Sequence, residues 1–282
     1  MSSTFTIGQC ATLACILEVT APKPGNVHSG ADFPGLTLND FLLSAVAISP
    51  AMQQAAECSV GVTVLTAVRA TRAVVGTNTN LGTLLLLAPL AKVAPNQPLD
   101  VAGVDEVLDS LTATDAAEIY EAIRLACPGG LGQVDELDVS GPPPTDVLRA
   151  MRQAADRDLV ACQYVNHFEQ VFQGSVAWLR EAQQSGWALR DSIVRTHVRL
   201  MASYPDSLIA RKCGDQLASE SARRAAEVLL QGVPGEADYE TGLCDLDRWL
   251  RADGNRRNPG TSADLVAAGL FVALRNGMLD LR

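Results

Sequence analysis

Four short segments of the chain carry residue types suited to handling a charged ligand. The first, Ala21-Pro22-Lys23-Pro24-Gly25-Asn26-Val27-His28, follows a helical stretch that carries Glu18. Prolines fix φ and forbid helix, while Gly25 opens backbone angles closed to other residues. A lysine held between two prolines is pre-oriented for a phosphate oxygen. The same residues also read as a stiff helix exit with a solvated lysine. The second, Gly76-Thr77-Asn78-Thr79-Asn80-Leu81-Gly82-Thr83, is a polar turn entering a leucine-rich helix. Backbone N–H groups at a helix start, with Asn and Thr side chains, make a concave donor surface for an anion. No lysine follows Gly82, so the segment is not a P-loop, and an N-capped helix after a Gly/Asn turn accounts for it equally. In the third, Tyr204 to Gly214, Asp206 could cap a short helix whose C-terminal end is complemented by Arg211 and Lys212. Alternatively Asp206 is a metal or hydroxyl ligand, with Lys212 or Arg211 on phosphate. The fourth, Asn258 to Val266, offers Thr261 or Ser262 as N-cap and Asp264 in the first helical turn. That geometry also sets a carboxylate beside backbone donors, suited to Mg²⁺ or a ribose hydroxyl.

The elements that must position these segments are helices. The 282 residues are 48% apolar and 19% charged, a globular composition that excludes a mainly disordered chain. The net charge of -10 repels a phosphate backbone and argues against nucleic acid as partner. The most apolar stretch, Leu81 to Ala91, is too short to cross a bilayer. No basic n-region with a long apolar core opens the sequence, so a cytoplasmic location and no membrane partner are expected. The seven cysteines form no C-x-x-C pair and His28, His167 and His197 no H-x-x-x-H, which makes reduced core thiols the expectation rather than zinc ligands. Ala116, Ile119, Tyr120, Ile123, Ala126 and Cys127 form one stripe of an amphipathic helix, with Thr114 as a plausible N-cap and Pro128-Gly129-Gly130 as its end. Similar patterns predict helices near 5–20, 38–57, 60–74, 81–93, 100–110, 145–157, 159–184, 187–203, 206–213, 215–231, 236–252 and 262–277. Val60 to Val75 is the best strand candidate, but its apolar residues also fit a helix face. The expected architecture is all-α, a single domain over residues 1–282, interrupted by a long Gly/Pro-rich loop at 128–144. That loop is either a lid, with Leu131, Val134 and Leu137 able to dock, or a plain surface loop.

Taken in order, the four segments resemble the triphosphoribosyl-dephospho-coenzyme A synthase family. Leu17-Glu18-Val19 with Pro22-Lys23-Pro24-Gly25 match its first motif. Gly76, Asn78, Thr79 and Gly82 match the second, and Asp206, Ser207, Lys212 and Gly214 the third. Pro259, Gly260, Ser262, Ala263, Asp264 and Leu265 match the last. The resemblance spans about residues 13 to 275. Three departures bear on the acceptor: His28 replaces an aspartate, Asn80-Leu81 replaces His-Lys, and a His/Asp stretch is not recognisable near Ser29 to Pro34. Divergent members of this kind occur beside genes for one-carbon pterin cofactors.

The resemblance implies an all-helical enzyme with a central nucleotide-binding cleft. It would transfer the triphosphoribosyl group of ATP to a hydroxyl of dephospho-coenzyme A, or of a related cofactor precursor, with release of adenine. On this reading Lys23, Lys212 and the turn of Gly76, Asn78, Thr79, Asn80 and Gly82 hold phosphates. Gly25, Asn26, Ser207, Gly260 and Ser262 complete substrate binding, and Asp206 and Asp264 hold Mg²⁺ or the ribose. Glu18 is the candidate general base, and His28 assists protonation of the leaving group. Expected partners are small-molecule nucleotides and cofactor precursors, and a second copy of the chain in a homodimer. Two other readings stay open at this point. A metal-dependent nucleotide hydrolase would use the Asp156-x-Asp158 spacing, and a catalytically inactive helical partner protein would use no nucleotide chemistry.

Overall fold

The computed structural model describes residues 5–129 and 137–281, and among them every regular element is helical. In chain order these are α1 (Ile7–Thr20), α2 (Leu38–Ala47), α3 (Ser49–Gln53), α4 (Val60–Val74), α5 (Leu81–Lys92), α6 (Val101–Asp109), α7 (Ala113–Ala126), α8 (Val147–Ala154) and α9 (Leu159–Gln163). A π-helical stretch, Gln170–Val176, runs into α10 (Ala177–Gln184) and is followed by α11 (Leu189–Ser203), α12 (Ser207–Cys213), α13 (Asp215–Leu230), α14 (Ala237–Arg251) and α15 (Gly260–Arg275).

Local chemistry explains where the helices differ from the sequence pattern. The expected helix at 38–57 divides because Pro50 opens a new short helix, α3. The expected helix at 159–184 breaks at His167 and Phe168, both at positive φ, before the π-helical stretch. Helix α7 starts earlier than the Thr114 cap implied: Thr112 accepts from Asp115 N, and Asp115 reciprocates in a capping box. The Val60 segment is helix, capped by Ser59. Leu131 and Val134 of the long loop lie outside the described residues. Its described end is tied down, with the Tyr120 hydroxyl donating to Leu137 O and Arg124 to Val139 O.

Helices α5 and α15 are apolar on nearly every face, which is the pattern of helices buried all round. They form the centre of the core, with α1, α4 and the π-helical stretch packed around them. Small residues on α1 (Cys10, Ala11, Ala14) are fully buried in the same core. A smaller apolar cluster joins α11 to α12, α13 and α14. Among the described residues no helix is long and apolar enough to cross a membrane. The central packing matters for function because it brings the N-terminal turns of α5 and α15 together.

The exit from α1 is fixed by Gly25, which has φ 75°. Its N–H donates to Asp247 and its carbonyl accepts from Asn258. A Cβ there would lie 2.8–2.9 Å from Leu250 and Pro259. Gly25→Ala should therefore cost about 2–3 kcal/mol, from the left-handed backbone and from overpacking. The urea midpoint measures this; a midpoint equal to that of the parent would show that the turn relaxes freely.

Candidate active site

A single cleft of about 1240 Å³ opens where α1 ends and where α5, α12 and α15 begin or end. Its floor carries Cys15, Glu18, Thr83 and Asp264. The Thr83 hydroxyl donates to Asp264 Oδ1 at 2.5 Å. Gly82 makes this approach possible, because a Cβ at that position would sit 2.1 Å from Asp264 Oδ2. Burial, reinforced by the negative charges of Glu18, Asp206 and Asp158, pushes the Asp264 carboxyl up to about 7, against the pull of the Thr83 hydrogen bond. Burial, with Glu18 and Asp264 nearby, likewise pushes the Cys15 thiol up, so it is not a nucleophile.

Glu18 projects into the cleft from the last turn of α1, and Lys23 lies behind it. Lys23 is fully buried and is not a phosphate ligand: its Nζ meets Glu18 Oε1 at 2.8 Å, the Glu18 carbonyl, and Ala21 O at 3.4 Å. An ammonium has three N–H donors, and all three are used. The Pro-Lys-Pro segment thus folds its cation back under the C-terminal end of α1, where it satisfies helix carbonyls and orients the glutamate. His197, also fully buried, is pushed down to about 3 by burial and then by the Lys23 charge, so it is neutral.

Asp206 is likewise corrected. Its Oδ1 accepts from Leu208 N and Ile209 N, capping α12, and its Oδ2 accepts from Ser262 N at 2.7 Å and Ser262 Oγ at 2.8 Å. One carboxylate therefore caps two helices, and α15 is capped from outside rather than by Thr261 or Ser262. With both oxygens spent, Asp206 has none left for Mg²⁺ or ribose, so the expected Asp206–Asp264 metal pair does not form. Among the described residues no group of three His, Cys, Asp or Glu side chains is arranged to hold a metal. Ser207 joins the same staple by donating to Thr261 Oγ1.

Nine of the candidate residues line the one cleft: Glu18, Asn26, Asn78, Thr79, Asn80, Gly82, Lys212, Gly260 and Asp264. Asn78 Oδ1 accepts from Asn80 N and Leu81 N, and Asn80 Nδ2 donates to Thr71. Asn80 is thus a buried structural amide. Lys23, Gly25, His28, Gly76, Asp206, Ser207 and Ser262 do not line this cleft. Gly76 is exposed at the start of the turn, and His28 borders a separate depression with Arg190, Asp247 and Arg251. His28 is therefore not placed to protonate a leaving group in the main cleft.

Sequence reasoning placed Arg211 and Lys212 on phosphate but missed three further cations on the cleft wall. Arg124, Arg157, Arg211, Lys212 and Arg256 all line it, opposed to the acidic floor. Arg211 pairs with Asp158 at 2.9 Å, but among the described residues Arg157 and Lys212 have no carboxylate partner. Burial and the neighbouring Arg211 push the Lys212 ammonium down. Only Lys212 and Arg211 fell within a recognisable segment; Arg124 and Arg157 come from stretches that read as ordinary helix, and Arg256 from the turn before the fourth segment.

A cleft lined by carboxylates and by cations, two of them without a carboxylate partner among the described residues, suits a phosphorylated sugar. A family model described as ATP:dephospho-CoA triphosphoribosyl transferase, CitG, matches residues 4–281. No curated protein sequence matches. A crystal structure of a provisionally assigned triphosphoribosyl-dephospho-coA synthase from Archaeoglobus fulgidus has the same fold. It superposes with a TM-score of 0.65 at 24% identity, over 84% of this chain and 100% of that one. On the match along nearly its whole length, the chain belongs to the CitG family of ATP:dephospho-CoA triphosphoribosyl transferases.

Proposed function

We propose that the cleft binds ATP with its triphosphate against Arg157, Arg211, Lys212 and Arg256 and its ribose over Glu18 and Asp264. The family reaction breaks the bond between C1′ and the adenine nitrogen and joins C1′ to an acceptor hydroxyl. Positive charge develops at C1′ as that bond opens, as in glycoside cleavage. Glu18 is suited both to stabilise this charge and to take the proton of the attacking hydroxyl, and Lys23 fixes its orientation. When bound, magnesium would supply neutralising charge to the triphosphate; in this reading no protein carboxylate pair is assigned to it.

Cleft size and lining favour two substrates. Pockets for one drug-sized ligand run to roughly 300–1,000 Å³, and this one exceeds that range. Phe33, Pro34 and Phe41 supply an aromatic and proline wall suited to a purine face. Ile119, Ile123, Val147, Met151 and Ala161 supply an aliphatic wall suited to the long uncharged arm of dephospho-coenzyme A. The observation that carries the reading is one cavity lined by Glu18 and Asp264 and by five cations, of which Arg157 and Lys212 have no carboxylate partner among the described residues.

The test is adenine release from Mg-ATP, followed chromatographically with and without dephospho-coenzyme A. Release that requires the acceptor supports the transferase. Release or phosphate cleavage with water alone would favour a nucleotide hydrolase, and no nucleotide binding would leave a silent helical protein. Lys212→Ala should raise the ATP dissociation constant about tenfold or more, as loss of a charged hydrogen bond does. An unchanged constant would remove Lys212 from the triphosphate site.

A further inference from the structure

Three carboxylates, Glu18, Asp158 and Asp264, line the cleft with Asp206 behind them, and their partners differ in kind. Glu18 is paired with Lys23 at 2.8 Å and Asp158 with Arg211 at 2.9 Å. Asp206 accepts four hydrogen bonds from the starts of α12 and α15. Asp264 has one neutral donor, Thr83, and among the described residues no cation. When neighbouring carboxylates share a poorly solvated site, the one without a cation is where a proton is held most cheaply. Gly82 presses the helix backbone against Asp264 Oδ2, so the group sits at the floor rather than swinging toward the cationic wall.

We propose that Asp264 is the general acid that protonates the departing adenine, while Glu18 takes the proton of the acceptor hydroxyl. The proposal rests on the reading above that both carboxyls face the ribose. As the C1′–N9 bond breaks, its electron pair stays with the purine. The Asp264 proton moves to a purine ring nitrogen, giving neutral adenine, and the acceptor proton moves to Glu18 as the O–C1′ bond forms. The turn ends with Glu18 protonated and Asp264 ionised, and a proton returned through water resets the pair.

The electrostatics support this division. Burial and the facing Glu18, Asp206 and Asp158 push Asp264 up to about 7, so its protonated form is well populated at neutral pH. Cys15, on the α1 side, stays a thiol and adds no charge. Arg211 and Lys212 line the same cleft but sit on its wall with the α12 segment. A carboxyl that keeps its proton beside one that is paired with a buried cation is the pattern by which acid and base are told apart.

The experiment compares two donors, ATP and a nucleoside triphosphate in which adenine is replaced by nicotinamide, whose pyridinium leaves without needing a proton. Dephospho-coenzyme A is the acceptor in both. Asp264→Asn should lower kcat with ATP by about 10²–10⁴, the usual worth of a general acid, yet stay within about tenfold of the parent with the pyridinium donor. The parent should lose activity with ATP above about pH 7 and keep it with the pyridinium donor. Equal loss with both donors overturns the acid role, and so does an alkaline limb shared by both. Thr83→Val supplies a readout independent of Asp264→Asn folding. Removing the hydrogen bond that pulls Asp264 down should move the alkaline limb with ATP to higher pH, and a limb that stays put or falls overturns the proposal. A parent enzyme that transfers from neither donor refutes the transferase reading itself, an outcome distinct from equal loss in the variant.

Discussion

Replacing Lys23 by methionine should lower kcat by about 100-fold or more, the worth of an oriented general base, and leave the ATP dissociation constant within about twofold. The reason is that Lys23 is fully buried and spends its three N–H donors on Glu18 and Ala21, with none facing the cleft. Its effect on catalysis must pass through Glu18. Without the ammonium, Glu18 loses the contact that orients it. Folding should also weaken by about 3 kcal/mol, the low end for breaking a buried pair, because the Glu18 side chain keeps 13% exposure. A double variant with Glu18→Gln should be less destabilised than the two single changes summed, since the neutral amide no longer needs the cation. A large rise in the ATP dissociation constant with kcat preserved would return Lys23 to the triphosphate.

The contrast between Lys23 and Lys212 shows how far the site was legible in the sequence. Periodicity identified the helices because apolar spacing is a local property, and α4 was assigned correctly despite its Val/Thr content. The four polar segments also meet in space, since Glu18, Asn78, Gly82, Lys212 and Asp264 share one cleft. Sequence does not encode which way a side chain turns at a helix end. Lys23 folds back onto the carbonyls of its own helix, and Asp206 reaches across to a helix more than fifty positions later. Both motifs serve the site from behind it. The three further cations on the wall escaped notice for the opposite reason. Arg124, Arg157 and Arg256 come from helical or turn segments with ordinary polar spacing, and only tertiary packing makes them neighbours. The contact between Thr83 and Asp264 is of the same kind: it depends on two buried helices meeting end to end, with a glycine at the crossing.

Asp206→Ala should be the most destabilising single change at the site, because it releases both helix starts at once. The backbone N–H groups of Leu208, Ile209 and Ser262 lose their acceptor, as does the Ser262 hydroxyl, all in a region that is 1% exposed at Asp206 itself. An unpaired buried donor costs about 1–3 kcal/mol. Removing a carboxyl that burial pushes up in spite of its four donors returns part of that cost. A net loss of about 3–5 kcal/mol is expected. Asp206→Asn should fall between this and the parent, since an amide oxygen can still accept for one of the two helices while its NH₂ faces the other. Activity should drop in both variants because α12 carries Arg211 and Lys212 and α15 carries Asp264, so loosening the staple separates the wall from the floor. The remaining activity per folded molecule should respond to added magnesium in the same way as the parent's. Stability within about 1 kcal/mol of the parent, together with a raised magnesium requirement, would contradict the staple and make Asp206 a metal ligand after all.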